Sequence, residues 1–226
     1  MFNNRFPMGR PSKHNQDDVV RMVVDAAEAT ARREGLRGLS LRRIAAEIGY
    51  VPGSLYNLIG DLDDIVLHLN ARTLERLSEY LKTRVDSAKP AVENAFAVAD
   101  GYLDFVMAEP LLWGLILEHR LLPGTDTPAW YERTLSATTS LVDDVLRPLI
   151  AEEAERRLAV ASLWAALHGI ASLATSGKLA AVHDADPHAM AQQLIARFLG
   201  VPPPQRATRP PAKAKPRAAN GKRKAA

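Results

Sequence analysis

The sequence predicts an all-α protein, a three-helix N-terminal unit followed by a larger helical bundle. Three observations carry that expectation. Apolar residues recur at three- and four-residue spacing over most of residues 16–199. No stretch alternates with the two-residue period of a strand. Proline and glycine fall between the periodic segments, at Pro90, Pro110, Pro123-Gly124 and Pro187.

The 226 residues are 47% hydrophobic, which is ample for a core. Cysteine is absent, which removes disulfides, thiol nucleophiles and Cys-based zinc sites and fits a cytoplasmic location. No apolar run is expected to span a bilayer, and the N-terminus lacks the order of a signal peptide. The overall charge of +3 conceals a segregation: +3 over residues 1–60, −8 over 61–200 and +8 over 201–226. The basic balance therefore comes largely from the tail.

Residues 1–14 carry Arg5, Arg10 and Lys13, no acid, and prolines that oppose a helix. They read as a flexible basic arm, either following DNA or simply solvated. A first helix is expected over 16–34, with Asn15 as N-cap, Asp17 and Asp18 at the positive end of the dipole, and Gly35 as its stop. Val20, Val23, Val24, Ala27 and Ala31 form its packing face.

Two short helices follow. Leu41, Ile44, Ala45 and Ile48 share one face; Ser40 caps that helix and Gly49 closes it. Pro52 suits the first turn of the next, about 52–59, with Leu55 and Leu58 as buried contacts. Small Ala45 permits a close crossing. The pattern is that of a helix-turn-helix, which presents its second helix to the DNA major groove; an αα-hairpin in a helical core uses the same spacing.

A supporting helix, Gly38-Leu39, Ser40-Leu41-Arg42-Arg43-Ile44-Ala45, Gly49, and Ser54-Leu55-Tyr56 running into a long helix together resemble the TetR family of transcriptional regulators over about residues 12–75. The resemblance implies a homodimer with an N-terminal DNA-binding domain and a C-terminal helical ligand-binding and dimerisation bundle. It implies DNA-facing roles for Ser40, Arg42, Arg43, Pro52, Gly53, Ser54, Tyr56 and Asn57, with Tyr56 on a phosphate. Arginine suits guanine edges or phosphates and asparagine suits adenine. Arg43 reads equally as a phosphate contact or a solvated charge. The family's aromatic and its lysine at the start of the fourth helix are replaced by Leu58, Ile59 and Leu62, so the resemblance implies that two phosphate contacts are missing.

A fourth helix is expected from Gly60 or Asp61 to about 87, through Ile65, Leu69, Leu74, Leu77 and Leu81. Further helices are expected at about 90–108, 110–121, 127–150, 152–178 and 187–199. Trp164, His168, Gly169 and Ser176-Gly177 resemble a WHG-type C-terminal domain within the same family. Ala161, Ala165, Gly169 and Ser172 form a stripe of small side chains that suits a dimer seam or an internal crossing, and Leu194 and Phe198 extend the candidate dimer surface. Candidate effector-pocket residues are Phe105, Met107, Trp113, His119, Trp130, Trp164 and His168, each of which also suits a core.

No Gly-rich phosphate loop, metalloprotease motif or di-iron pair is present, so neither enzyme activity nor a cofactor is expected. His183, Asp184, Asp186 and His188 are read as a polar loop rather than a metal site. Residues 201–226, rich in Pro, Ala, Lys and Arg, cannot build a core and are expected to be a disordered basic tail. The domains expected are 1–14, 15–61, 62–200 and 201–226. The function expected is a homodimeric repressor on a palindromic operator in double-stranded DNA, modulated by a small-molecule effector, with no membrane partner. Two alternatives stand beside it: a protein that coats DNA through its tail, and an all-α carrier or enzyme without operator recognition.

Overall fold

Asn15, Ser40 and Asp61 set the frame of the N-terminal half, because each supplies a side-chain oxygen to first-turn amides that no backbone carbonyl reaches. In the computed structural model, which describes residues 15–121, 126–182 and 186–203, Asn15 accepts from the Asp18 amide at 2.9 Å and opens α1, Gln16–Glu34. Ser40 accepts from the Arg43 amide and opens α2, Leu41–Glu47. Asp61 accepts from the amides of Asp63 and Asp64, while Asp64 returns a bond to the Asp61 amide; this capping box opens α4, Leu62–Lys82. Between α2 and α4 lies α3, Pro52–Ile59, with Pro52 in its first turn. Gly60 joins α3 to α4 at φ 92°, and a Cβ there would collide with the Asp64 carboxylate, so the capping box and the glycine require each other.

The basic arm, 1–14, and all but the first three residues of the tail lie outside the described residues, as do His183 and Asp184. Among the described residues there are ten α-helices, one 3-10 turn at Leu36–Gly38, and no strand, as expected of an all-α protein. The remaining helices are α5 Ala91–Ala108, α6 Pro110–Glu118, α7 Ala129–Leu146, α8 Glu153–Thr175, α9 Leu179–Val182 and α10 Pro187–Leu199.

Two apolar cores result. The first joins α1, α2 and α3 to Ile65, Val66 and Leu69 of α4 and to Leu112 and Leu115 of α6. In it Val19 is buried where Val20 was expected, and Ile59 where Leu58 was; Val20 and Leu58 are half-buried. The second gathers Leu74, Leu77 and Leu81 of α4 with α5, α7, α8, α10 and Trp113 of α6. Helix α4 thus serves both. An ion network spans α1, α4 and the α5–α6 corner: Glu28 binds Arg32, Arg72 and Arg76, and Arg32 and Arg76 also bind Glu109.

Several expected boundaries are corrected. The fourth helix ends at Lys82, not near 87, because Asn94 captures the loop: its side-chain N–H donates to the Asp86 carbonyl at 2.9 Å and its oxygen accepts from the Asp86 amide at 3.0 Å. Helix α6 ends at Glu118, short of 121, where His119 turns extended at ψ 127°. Helix α7 ends at Leu146 rather than 150, since Pro148 has no N–H with which to continue the ladder, although Arg147 before it keeps helical geometry at φ −54° and ψ −41°. The turn's carbonyls at Ile150 and Ala151 are satisfied by buried Arg156, which also binds Asp143 at 2.8 Å. Helix α8 stops at Thr175, before Gly177 at φ 71°, and the short α9 was not foreseen.

The expectation that no run could span a bilayer is also corrected: α8 is long enough and apolar enough by composition, with a mean hydropathy of 1.5. Only 28% of its apolar window is buried, so a wide face of α8 remains uncovered in the single chain.

Replacing Asn94 by Ala removes both bonds to Asp86 and leaves that loop's amide and carbonyl without their partner. Stability should fall by about 1–3 kcal/mol, read as a lower urea midpoint with unchanged slope; an unmoved midpoint would show that the clamp is dispensable.

Candidate nucleic-acid interface and ligand cavity

Helix α3 divides its side chains by periodicity. Leu55 and Ile59 face the first core, while Val51, Pro52, Gly53, Tyr56 and Asn57 are exposed and Ser54 is half-exposed. Tyr56 is 60% exposed, an unusual position for a large aromatic that no neighbour needs. At Gly53 a Cβ would meet nothing within 4 Å, so the fold itself does not require glycine there. Neither α2 nor α3 carries an acid in its first turn, in contrast to α1 and α4, so both helix starts remain electropositive.

The two arginines of α2 part company. Arg42 is exposed and makes no ion pair among the described residues. Arg43 grips Glu34 with two bonds of 2.6 Å and touches the Gly38 carbonyl at 3.3 Å, bracing α2 against the end of α1. Hydrogen bonding to Arg43 holds the Glu34 carboxyl below its ordinary range. Ser40 spends its acceptor on the cap of α2. At the start of α4, where the resembling family carries a lysine, stand Asp61, Asp63 and Asp64. Those carboxylates suit a helix N-terminus and repel phosphate.

The second core encloses a cavity of about 270 Å³ between α4, α5, α7 and α8. Of the pocket residues expected from sequence, Trp113 and Trp164 lie on its wall. His168 sits behind that wall: its Nδ1 is 2.8 Å from the Tyr102 hydroxyl and accepts the Trp113 indole N–H at 3.2 Å. The other four lie elsewhere. Phe105 lines a polar cleft with Arg72, Arg76 and Glu109, and Met107 is exposed. His119 bonds Asp63 at 3.0 Å, and Trp130 stacks on His68. Tyr102 was missed by the sequence reading; its place four residues after Val98 on the buried face of α5 was the available signal.

Burial lowers the affinity of His168 for a proton, and burial pushes the Tyr102 hydroxyl well above its ordinary range against the opposing bond from Trp113. Both groups are therefore neutral near pH 7. Since Nδ1 accepts from Trp113, the neutral ring carries its proton on Nε2, which is buried without a partner among the described residues. Asp186 caps α10, and His188 bonds Asp100 at 3.2 Å; no group of three metal-ligating side chains occurs among the described residues.

On the candidate dimer surface, Ala161, Ala165 and Ser172 are exposed on α8, and Gly169 is half-buried with open space above it. Leu158 and Trp164, 68% and 45% exposed, flank the stripe. Phe198 of α10 is also exposed, and Leu194 is half-buried.

Comparison with known proteins agrees with this geometry. A family model described as the tetracyclin repressor-like C-terminal domain matches residues 95–198. An uncharacterised HTH-type transcriptional regulator of Bacillus subtilis is 33% identical over 90 residues, 40% of this chain. That match covers 47% of the relative, so the chain aligns with about half of its length. A second HTH-type regulator, from Mycobacterium tuberculosis, is 23% identical over 191 residues, 84% of this chain and 83% of the relative. The structure of Thermus thermophilus FadR, a TetR family repressor in complex with lauroyl-CoA, superposes with a TM-score of 0.60 at 16% identity, covering 87% of this chain and all of that one.

The lowered proton affinity of His168 has a pH consequence. A depressed imidazole contributes stability that is complete above the unfolded value of 6.5 and is lost as pH falls through the folded value. His68 is depressed by burial too, so both contribute. Unfolding free energies measured from neutral pH downward should fall, and His168→Gln should flatten that slope; an identical slope in the variant would assign the dependence elsewhere.

Proposed function

Because the chain is a transcriptional regulator of the TetR type, we propose that it is a homodimeric repressor that binds a palindromic operator and is released by a small-molecule effector. The observation that carries the DNA reading is the outward face of α3, where Tyr56, Asn57 and Gly53 are exposed although the fold has no use for them there. In this reading α3 enters the major groove, Tyr56 binds a phosphate, Ser54 and Asn57 face base edges, and Pro52 and Gly53 allow close approach. Arg42 supplies the nearby cation. Arg43 acts through its brace to Glu34, and Ser40 through its cap.

The dimer reading is supported by α8, whose uncovered stripe is too apolar to be left in water and smooth enough for a second helix to approach closely. A second copy, with Phe198 and Leu194 alongside, would cover it as a four-helix seam. Residues 15–61 then form the DNA-binding domain and 62–200 the effector and dimerisation domain, in a cytoplasmic regulator that catalyses nothing. The effector reading rests on the cavity; the likeness to FadR, whose structure holds lauroyl-CoA, supports a hydrophobic ligand.

Selection of genomic fragments by the purified protein, followed by footprinting, tests this reading. A two-fold-symmetric footprint supports it, whereas salt-sensitive binding without a preferred site would move the DNA contact to the basic arm and tail. On the selected site, Arg42→Ala should cost about 1–3 kcal/mol of binding and Tyr56→Phe about 1 kcal/mol, with helicity and dimer size unchanged. Equal affinity in both variants would remove these residues from the interface. Ala165→Glu should convert the dimer to monomers by sedimentation; a persistent dimer would place the seam elsewhere.

A further inference from the structure

The cavity is lined almost wholly by hydrocarbon, and the polar groups of Tyr102, Trp113, Thr138 and Thr139 in its wall are bonded within the protein. No side chain that lines it is charged. The Trp113 indole N–H donates to His168 Nδ1, and the Tyr102 hydroxyl lies 2.8 Å from the same nitrogen, so both polar groups are engaged with His168. Thr138 donates its hydroxyl to the Thr134 carbonyl at 3.0 Å, and Thr139 donates to the Ser136 carbonyl at 3.0 Å. The indole of Trp164 is half-exposed at the rim. A ligand inside therefore meets mostly methyls, methylenes and ring faces, with no counter-ion in the wall.

Such a site sorts ligands by charge. A carboxylate or phosphate moved into it loses its hydration and gains no partner, a cost that unpaired ions escape only by neutralising. An uncharged hydrocarbon loses nothing polar, and cavities lined in this way stay dry and accept apolar guests. The groove beyond the rim offers no compensating cation. Its arginines, Arg147, Arg156 and Arg157, are paired with Asp143, Asp144 and Glu153.

We propose that the effector is an uncharged, predominantly hydrocarbon molecule, such as an alkyl alcohol or a hydrocarbon ring system, and that fatty acid anions and acyl-CoA thioesters are rejected. The proposal rests on the effector reading above and sharpens it. A single hydroxyl on the ligand is tolerated, since the Tyr102 and Thr oxygens retain acceptor lone pairs; a charge is not.

The test uses the full-length protein without DNA. Emission from Trp113 and Trp164 reports the cavity while n-decanol, decanoate and decanoyl-CoA are titrated separately near pH 8. Saturable binding of n-decanol, at least tenfold tighter than either anionic probe, supports the proposal. Comparable or tighter binding of decanoate or decanoyl-CoA overturns it, as does the failure of all three to bind. Ala99→Leu projects new bulk into the cavity and should abolish the n-decanol response. If that variant loses its native helicity, Val98→Leu serves the same purpose, and an unaltered response in a folded variant of either kind overturns the site. Operator release is then measured separately. Saturable n-decanol binding with no effect on operator affinity would refute the regulatory reading while leaving the ligand class intact; release by the anionic probes alone would do the reverse.

Discussion

Helix α6 has only nine residues, yet it is held by both cores, and this shared anchoring constrains the rest of the structure. Leu112 and Leu115 are fully buried beneath the helix-turn-helix, whereas Trp113, about 100° further round the helix from Leu112, is buried in the C-terminal bundle. No displacement of Trp113 can leave Leu112 in place unless the helix itself deforms, because packed interiors transmit rather than absorb such shifts. His119 at the end of α6 adds a polar tie to Asp63 in the first turn of α4. A ligand pressing on the cavity wall at Trp113 therefore presses, through one rigid element, on the floor of the proposed DNA-reading unit.

The ion network of α1, α4 and Glu109 works alongside this tie but does a different job. Desolvation raises the proton affinity of Glu28 and Glu109, and the surrounding guanidinium groups more than reverse it, so both carboxylates stay ionised. Partly exposed pairs of this kind contribute little net stability. Their value is positional. Arg76 touches Glu28 on one side and Glu109 on the other, so rotation of α4 would have to break one contact to relieve the other. The arrangement suits a helix with two discrete positions better than one that bends continuously.

Much of this was legible in the sequence because it is written in local chemistry. Asn15, Ser40, Gly49, Pro52 and Gly60 mark starts and stops whose causes lie within four residues, and the first three helices fall where those residues put them. The outward placement of Tyr56 and Asn57 follows from the burial of Leu55. What was not legible depends on partners far along the chain. Asn94 ends α4 from eight residues beyond Asp86, and Arg43 is drawn to Glu34 rather than left to solvent. Periodicity singled out aromatic residues of the bundle, but only packing could tell Trp113, on the cavity wall, from Trp130, stacked on His68. Pro148 was a local signal that went unused.

Trp164 connects the two proposals made for the C-terminal bundle. Its side chain lines the cavity and is also 45% exposed on α8, beside the stripe of Ala161 and Ala165 that a second copy would cover. In the proposed dimer the same side chain would feel both the ligand and the partner. Its stacking on His168 continues the chain of contacts to Tyr102 and Trp113, and so to α6. In that arrangement a ligand lying against Trp164 and Trp113 would touch both the proposed seam and the wall carried by α6. Effector binding and the angle between protomers are then not independent variables, and that angle sets the separation of the two α3 helices, which must match half-sites about one DNA turn apart. The bundle needs no long-range signal for this: the ligand would bias a packing choice already shared by cavity, seam and α6.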